Sequence, residues 1–303
     1  MFIDPMSIKE QTPVTRLDSP LLREKGIALW VKEDYLTHPY ISGNKWRKLK
    51  YNLAEAKRQK AKTLLTFGGA YSNHIYAVAA AGKAFGFETI GIIRGEEHLP
   101  LNHTLSFARM CAMDIHYLDR SSYRKKDDED YLSSLYERFG DIYIVPEGGT
   151  NSFALQGCQE MVEEIALDFD YLCMPCGTAG TLAGAIIGLK QGQQALGFSA
   201  LKGKDFLEME VEKLIGNNYD NWSIHWGYHF GGYAKTKKEL LDFMDAFETD
   251  FSICLEPIYT AKMFFGIFDL IEKDYFKKGT SIVAVHTGGL QGRGESKDYS
   301  TAI

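Results

Sequence analysis

The chain has 303 residues and 34.2 kDa, with 34 Lys and Arg against 40 Asp and Glu, a formal net charge of −6 and a pI near 5.8. That length fits two domains of roughly 100–200 residues or one large α/β unit, and 45% hydrophobic with 24% charged residues excludes disorder, collagen and coiled coil. The mild acidic excess, with no basic run longer than Arg124-Lys125-Lys126, argues against a nucleic-acid or anionic-membrane surface.

The opening segment MFIDPMSIKEQ lacks the cationic and apolar blocks of a signal peptide, and no apolar stretch approaches the roughly 18–20 residues of a membrane span. A cytoplasmic protein is expected. Apolar, β-rich runs at Ala28–Val31, Thr63–Phe67, Thr89–Ile93, Ile115–Leu118, Ile142–Val145, Tyr171–Met174 and Ser281–Val285 read as strands. Between most of them lie helical patterns, as at Ser72–Phe85, Leu105–Met113, Asp130–Phe139, Phe153–Ala166 and Gly180–Leu189. Strand, helix, strand in this rhythm predicts an α/β protein with open, doubly wound, mostly parallel sheets, because a parallel partner is reached only by a crossover. The runs are apolar throughout, as strands covered on both faces are.

The expected organisation is a small domain over 42–155 inserted into a larger one built from 1–41 and 156–303, with the binding cleft between them. The cluster Arg124–Asp130 reads as a solvated loop or helix start. Five cysteines, an odd number scattered along the chain, fit reduced thiols. Cys173 and Cys176 lack the second pair that a zinc ribbon needs and read as thiols packed at a strand end. Trp226-Gly227-Tyr228 spoils a helix between His225 and His229, and no metal is expected.

Three stretches carry candidate chemistry. In Ser42-Gly43-Asn44-Lys45-Trp46-Arg47-Lys48-Leu49, apolar spacing through Trp46, Leu49, Leu53 and Ala56 predicts a helix start with Asn44 as its cap. Lys45 then falls in the first turn, where the macrodipole disfavours an ammonium and favours an amine able to form an imine. The bland alternative makes Lys45, Arg47, Lys48 and Lys50 a set of cations solvating the helix. Phe67-Gly68-Gly69-Ala70-Tyr71-Ser72-Asn73-His74 follows a strand and sets three polar groups at a helix N-terminus on the sheet's carboxyl edge, where open α/β sheets bind ligands. Its alternative is ordinary capping by Ser72 with His74 on the surface. Pro175-Cys176-Gly177-Thr178-Ala179-Gly180-Thr181 has the glycines and hydroxyls of a cradle for one phosphate, without the Gly-Lys-Ser/Thr of a P-loop or the G-x-G-x-x-G of a dinucleotide site. Tyr228–Tyr233, Leu255-Glu256-Pro257-Ile258-Tyr259-Thr260 and His286-Thr287-Gly288-Gly289 add further polar loops.

Together Gly43-Asn44-Lys45, Ser72-Asn73-His74, Gly177–Thr181, Pro257-Ile258-Tyr259 and His286–Gly289 stand in an order that resembles the pyridoxal-phosphate enzymes of the tryptophan-synthase β-subunit superfamily, fold type II. The resemblance covers about residues 12–290 and is strongest to the branch holding D-cysteine desulfhydrase and 1-aminocyclopropane-1-carboxylate deaminase. It implies a pyridoxal 5′-phosphate cofactor, a small amino-acid substrate and a homodimer. It implies Lys45, Ser72, Tyr259 and Tyr233 as the catalytic set, with Lys45 joined to the cofactor and serving as the base at Cα. It further implies that Asn73 meets the cofactor's 3-hydroxyl, that Gly177, Thr178, Ala179, Gly180 and Thr181 hold its phosphate, and that Tyr259, Thr260 and Thr287 complete its surroundings. Ser72, Asn73 and His74 would take the substrate. Where the deaminase typically has glutamate, after the tyrosine, this chain has the neutral Thr260, which points to β-elimination from a β-substituted D-amino acid, D-cysteine first, giving pyruvate, ammonia and sulfide. Opening of the cyclopropane amino acid, turnover of D-serine, and non-catalytic binding of a phosphorylated ligand are the alternatives. Ala179, where glycine or serine is more usual, and Gly288–Gly292 depart from the pattern.

Overall fold

Ten strands form two open sheets among the described residues of the computed structural model, which are 3–203 and 205–293. In chain order the first elements are β1 (Val14–Leu17), α1 (Pro20–Lys25), β2 (Ala28–Lys32), α2 (Asn44–Arg58), β3 (Thr63–Gly69), α3 (Asn73–Phe85) and β4 (Glu88–Arg94). There follow α4 (His103–Met110), β5 (Asp114–Leu118), α5 (Arg120–Tyr123), α6 (Glu129–Phe139), β6 (Ile142–Val145) and α7 (Ser152–Glu163). The remainder is β7 (Tyr171–Cys176), α8 (Gly180–Gly188), β8 (Gln194–Ser199), α9 (Phe206–Ile215), β9 (Trp222–His225), α10 (Lys238–Phe251), α11 (Thr260–Glu272) and β10 (Ser281–Val285).

The chain divides into two units, one formed by the described residues of 1–10 with Thr37–Gly157 and the other by Gln11–Leu36 with the described residues of 158–303. The smaller unit holds an all-parallel sheet in the order β5-β4-β3-β6. Its central strand β3 is buried from Thr63 to Gly68, as the unbroken apolar run requires. The stripe Trp46, Leu49, Leu53 and Ala56 of α2 packs with Ile75 and Ala77–Ala81 of α3 into its core. Each large side chain buried there contributes about 1.5–3 kcal/mol, so Leu49→Ala is a change that would loosen α2. Residues 1–10, expected with the larger domain, belong here for a physical reason. Ile3 is 2% exposed within this core, and Lys9 N donates to Thr37 O at 2.8 Å.

The larger unit holds a six-stranded sheet in the order β1-β2-β10-β7-β8-β9, parallel throughout except for the antiparallel edge pair β1 and β2. A second core forms around Leu29, Val31, Leu196, Phe198, Phe247, Met263, Phe264 and Ile267. All five cysteines are free thiols, and Cys173 and Cys176 are buried at the end of β7, where burial pushes the Cys173 thiol upward. No helix of the described residues is long and apolar enough to cross a membrane.

Candidate active site

In the smaller unit the polar groups gather at the carboxyl ends of β3 and β6, the edge at which parallel sheets present ligands. Helix α2 begins after Gly43, which is the N-cap at φ 60°, a backbone that glycine adopts without the Cβ penalty. Asn44, expected as the cap, is instead the first helical residue. Its Oδ1 accepts from Lys45 Nζ at 3.1 Å. Lys45 is half-buried in the first turn.

Two of the neighbouring cations do not solvate this helix, whereas Lys50 stays partly exposed in an ion pair with Glu10. Arg47 and Lys48 are each 1% exposed, and Lys48 Nζ donates to Gly148 O at 3.0 Å and Thr150 Oγ1 at 3.1 Å, tying α2 to the loop after β6. Ser72 caps α3, its hydroxyl accepting from His74 N at 3.2 Å and Ile75 N at 3.3 Å. Asn73 is half-buried beside it, while His74, a surface residue if the motif were only a turn, is 2% exposed. Thr66 Oγ1 donates to Val145 O at 2.8 Å, so it receives the Nε2–H of His74, also at 2.8 Å, which assigns the imidazole's proton to Nε2. Burial, with the charges of Lys45 and Lys48, holds that imidazole neutral. Lys45, Ser72, Asn73 and His74 thus share one polar edge, with the His74 imidazole inside the protein and Ser72 half-buried on the α3 amides.

In the larger unit the loop after β7 leads into α8, and β10 ends in the adjacent loop His286–Gly289. Thr178 is exposed, Ala179 and Thr181 are buried, and α8 starts on Ala179 with no side-chain cap. A helix start without a side-chain cap suits an anion, and Thr178 and Thr181 are the hydroxyl residues at this one. A Cβ on Gly177 would lie 2.6 Å from Tyr259 Cε1 and 3.0 Å from its hydroxyl oxygen, so the bare backbone lets the phenol ring approach. The rings of Tyr259 and Tyr233 stand 6.1 Å apart, edge to face at 63°. These features fit a phosphate-bearing, planar group: glycine backbone and an uncapped helix for the phosphate, an aromatic wall for a ring.

Thr260 is fully buried and its hydroxyl is engaged internally, accepting from Glu256 N at 3.0 Å. The Glu256 carboxylate accepts from the amides of Ile258, Tyr259 and Thr260 at 2.8, 2.7 and 2.6 Å. Burial pushes this carboxyl up to about 7, against the pull of those three amides and of Lys262. Thr287 is 7% exposed, and the preceding His286 accepts from Gly288 N and donates its Nε2–H to Cys254 O at 2.7 Å. Burial lowers His286 to about 4. Among the described residues no group of three His, Cys, Asp or Glu could hold a metal ion. Sequence reasoning passed over Glu256, Lys262 and Lys48. Only the glutamate three residues before Tyr259 carries a local signal, that of a side chain able to turn back on a helix start.

The model of the pyridoxal-phosphate dependent enzymes matches residues 7–288, and the chain belongs to that family. It is therefore an enzyme with a pyridoxal phosphate cofactor, and its two mostly parallel sheets are those of fold type II. A Pyrococcus furiosus protein whose name provisionally assigns it 1-aminocyclopropane-1-carboxylate deaminase activity is 31% identical over 93% of this chain and 90% of its own. The mitochondrial bifunctional D-cysteine desulfhydrase/1-aminocyclopropane-1-carboxylate deaminase of Arabidopsis thaliana is 30% identical over 96% of this chain and 79% of its own. The crystal structure of an ACC deaminase homologue matches with a TM-score of 0.80 and 28% identity over 96% of this chain and 93% of that one.

Proposed function

We propose that the enzyme removes the β-substituent of a β-substituted D-amino acid, with D-cysteine and water yielding pyruvate, ammonia and sulfide. The observation that carries this reading is the neutral side chain after Tyr259. Thr260 offers no charge, and the Glu256 carboxylate, the nearest acid along the chain, is committed to three backbone amides. A ring nitrogen placed beside Thr260 gains no carboxylate partner. Elimination tolerates that, because the thiolate carries an electron pair away, whereas opening a cyclopropane draws more heavily on the ring as an electron sink.

In this reading Lys45 attaches the cofactor, which supplies an acceptor for the charge that develops at Cα when a proton leaves. Lys45 takes that proton. Asn73 bonds to the cofactor's 3-hydroxyl, Gly177–Thr181 hold the phosphate, Thr260 and Thr287 border the ring, and Tyr259 lies along it. The substrate carboxylate meets Ser72 and the backbone of Asn73 and His74, joining or displacing the Ser72 cap. Tyr233 lines the pocket as a second phenol. We place the enzyme in the cytoplasm as a homodimer and as a lyase.

A second reading, deamination of 1-aminocyclopropane-1-carboxylate to 2-oxobutyrate and ammonia, is favoured by the relatives' names. Incubating the enzyme with D-cysteine, L-cysteine, D-serine and the cyclopropane amino acid, and measuring 2-oxo acid and sulfide, separates the two. Pyruvate and sulfide from D-cysteine as the fastest reaction support elimination. Faster release of 2-oxobutyrate from the cyclopropane substrate overturns it.

A further inference from the structure

Two buried ionisable side chains that the proposed chemistry does not use stand at the start of α11, Glu256 just ahead of the helix and Lys262 in its first turn. Glu256 is 0% and Lys262 1% exposed. The Glu256 carboxylate gathers three consecutive amides, those of Ile258, Tyr259 and Thr260. The Thr260 hydroxyl answers by accepting from Glu256 N at 3.0 Å, so residues 256–260 form a closed clasp. The chain path through Tyr259 is fixed at its own amide, and the ring it carries occupies the space that Gly177 leaves open.

Lys262, in the first turn of α11, reaches a different stretch of chain. Its Nζ donates to His229 O at 3.0 Å and to Gly232 O at 2.9 Å. That stretch holds Phe230 at φ 53° and Ala234 at φ 54°, left-handed conformations that non-glycine residues keep only when their surroundings hold them there. Tyr233 lies between Gly232 and Ala234, 39% exposed, with its ring edge to face with Tyr259. A serine cap, such as Ser72 on α3, would finish a helix start without burying a charge. What a carboxylate and an ammonium add is several directed, charge-assisted hydrogen bonds from one atom group, and hence a defined geometry for whatever they hold.

We infer that Glu256 and Lys262 are positioning residues that bracket the tyrosine pair, Glu256 setting Tyr259 and Lys262 setting Tyr233. The assignment rests on the proposed roles of those two phenols, one against the cofactor and one toward the substrate. It therefore predicts a split. Glu256→Gln turns a donor toward at least one of the three amides and weakens retention of pyridoxal phosphate about tenfold, roughly the loss of one hydrogen bond to a charged group, with little change in substrate KM. Lys262→Met keeps the aliphatic stem, frees the two carbonyls, and raises substrate KM about tenfold with cofactor retention unchanged.

The test reads both constants in both variants of the holoenzyme, alongside amide hydrogen exchange of the peptides covering 256–262 and 228–235. Faster exchange should appear in the first peptide for Glu256→Gln and in the second for Lys262→Met. If Glu256→Gln does not fold, Thr260→Val, which removes the two bonds of its hydroxyl to the Glu256 main chain and leaves the carboxylate in place, is measured instead. Equal losses in both constants for both variants, or unchanged constants and exchange, overturn the bracket. A wild-type protein that takes up no pyridoxal phosphate would instead overturn the proposed function. The exchange measurements would then still decide the bracket.

Discussion

Helix α8 follows a glycine loop and its N-cap Ala179 supplies no side-chain cap, whereas ahead of α11 the Glu256 carboxylate accepts from Thr260 N, the first amide of the helix, and from the two amides before it, those of Tyr259 and Ile258. Both belong to the larger unit, and both lie beside Gly177, the first by sequence and the second through the Tyr259 ring. A helix start without a side-chain cap suits an outside anion, while a carboxylate that gathers consecutive amides fixes the chain path of the side chain they carry. The difference teaches how one unit can offer a phosphate cradle and an aromatic wall within a few ångströms of each other.

The largest expected effect comes from removing Lys45, the lysine proposed as the second attachment of the cofactor whose phosphate the α8 start would serve. Lys45→Ala should lower turnover about 10²- to 10⁴-fold through loss of the base alone and should bleach the yellow holoenzyme. Absorbance and product release check it, and unaltered colour would break the comparison at its root. Thr178→Ala with Thr181→Ala strikes the α8 start itself. Two hydrogen bonds to a charged group, each worth about 1.5–3 kcal/mol, should weaken cofactor retention more than tenfold while leaving kcat of the loaded enzyme nearly unchanged. Equilibrium dialysis of the double variant measures this.

The closed loops should announce themselves in pH. His286 is held neutral, its pKa lowered from 6.5 to about 4 mainly by burial. Its contribution is complete above pH 6.5 and is lost as pH falls toward 4, an effect of about 3 kcal/mol. Urea melts between pH 7 and 4 should show wild type losing stability over that window, and His286→Gln should flatten the slope. The smallest effect is expected from Gly177→Ala. The new methyl would sit 2.6 Å from Tyr259 Cε1, and shifting the ring should cost about 1–3 kcal/mol, read as a lower melting temperature.

The central strands and the glycine loop after β7 were legible because their signals are local. An unbroken apolar run ending in Cys176-Gly177-Thr178 announces a buried parallel strand and the turn after it. The edge strands β1 and β9 carry polar, exposed positions, as at Thr15, Arg16 and Ser223, and did not stand out. Strand β8 was hidden by Gly197, a poor strand former that is required because a Cβ there would meet Cys176 Sγ and Leu182 Cδ2 at 2.9 Å. In the site, Lys45, Ser72 and the glycine loop stood out because they sit at helix starts after glycines. Lys48, Glu256 and Lys262 were not legible as site residues. Apart from the Thr150 hydroxyl their partners are main-chain groups, and for the lysines all lie 30 or more residues away, at Gly148, Thr150, His229 and Gly232, where only the fold brings them into reach. His74 was legible as a polar residue and illegible as a buried one, since its burial depends on Thr66 and the loop after β6.

The most direct measurement for the whole account is borohydride reduction of the purified holoenzyme followed by peptide mapping. The account predicts a reduced pyridoxyl group on the peptide carrying Lys45, the lysine in the Gly-Asn-Lys context at the start of α2. A label on Lys48, Lys262 or any other lysine, or no label at all, would contradict it.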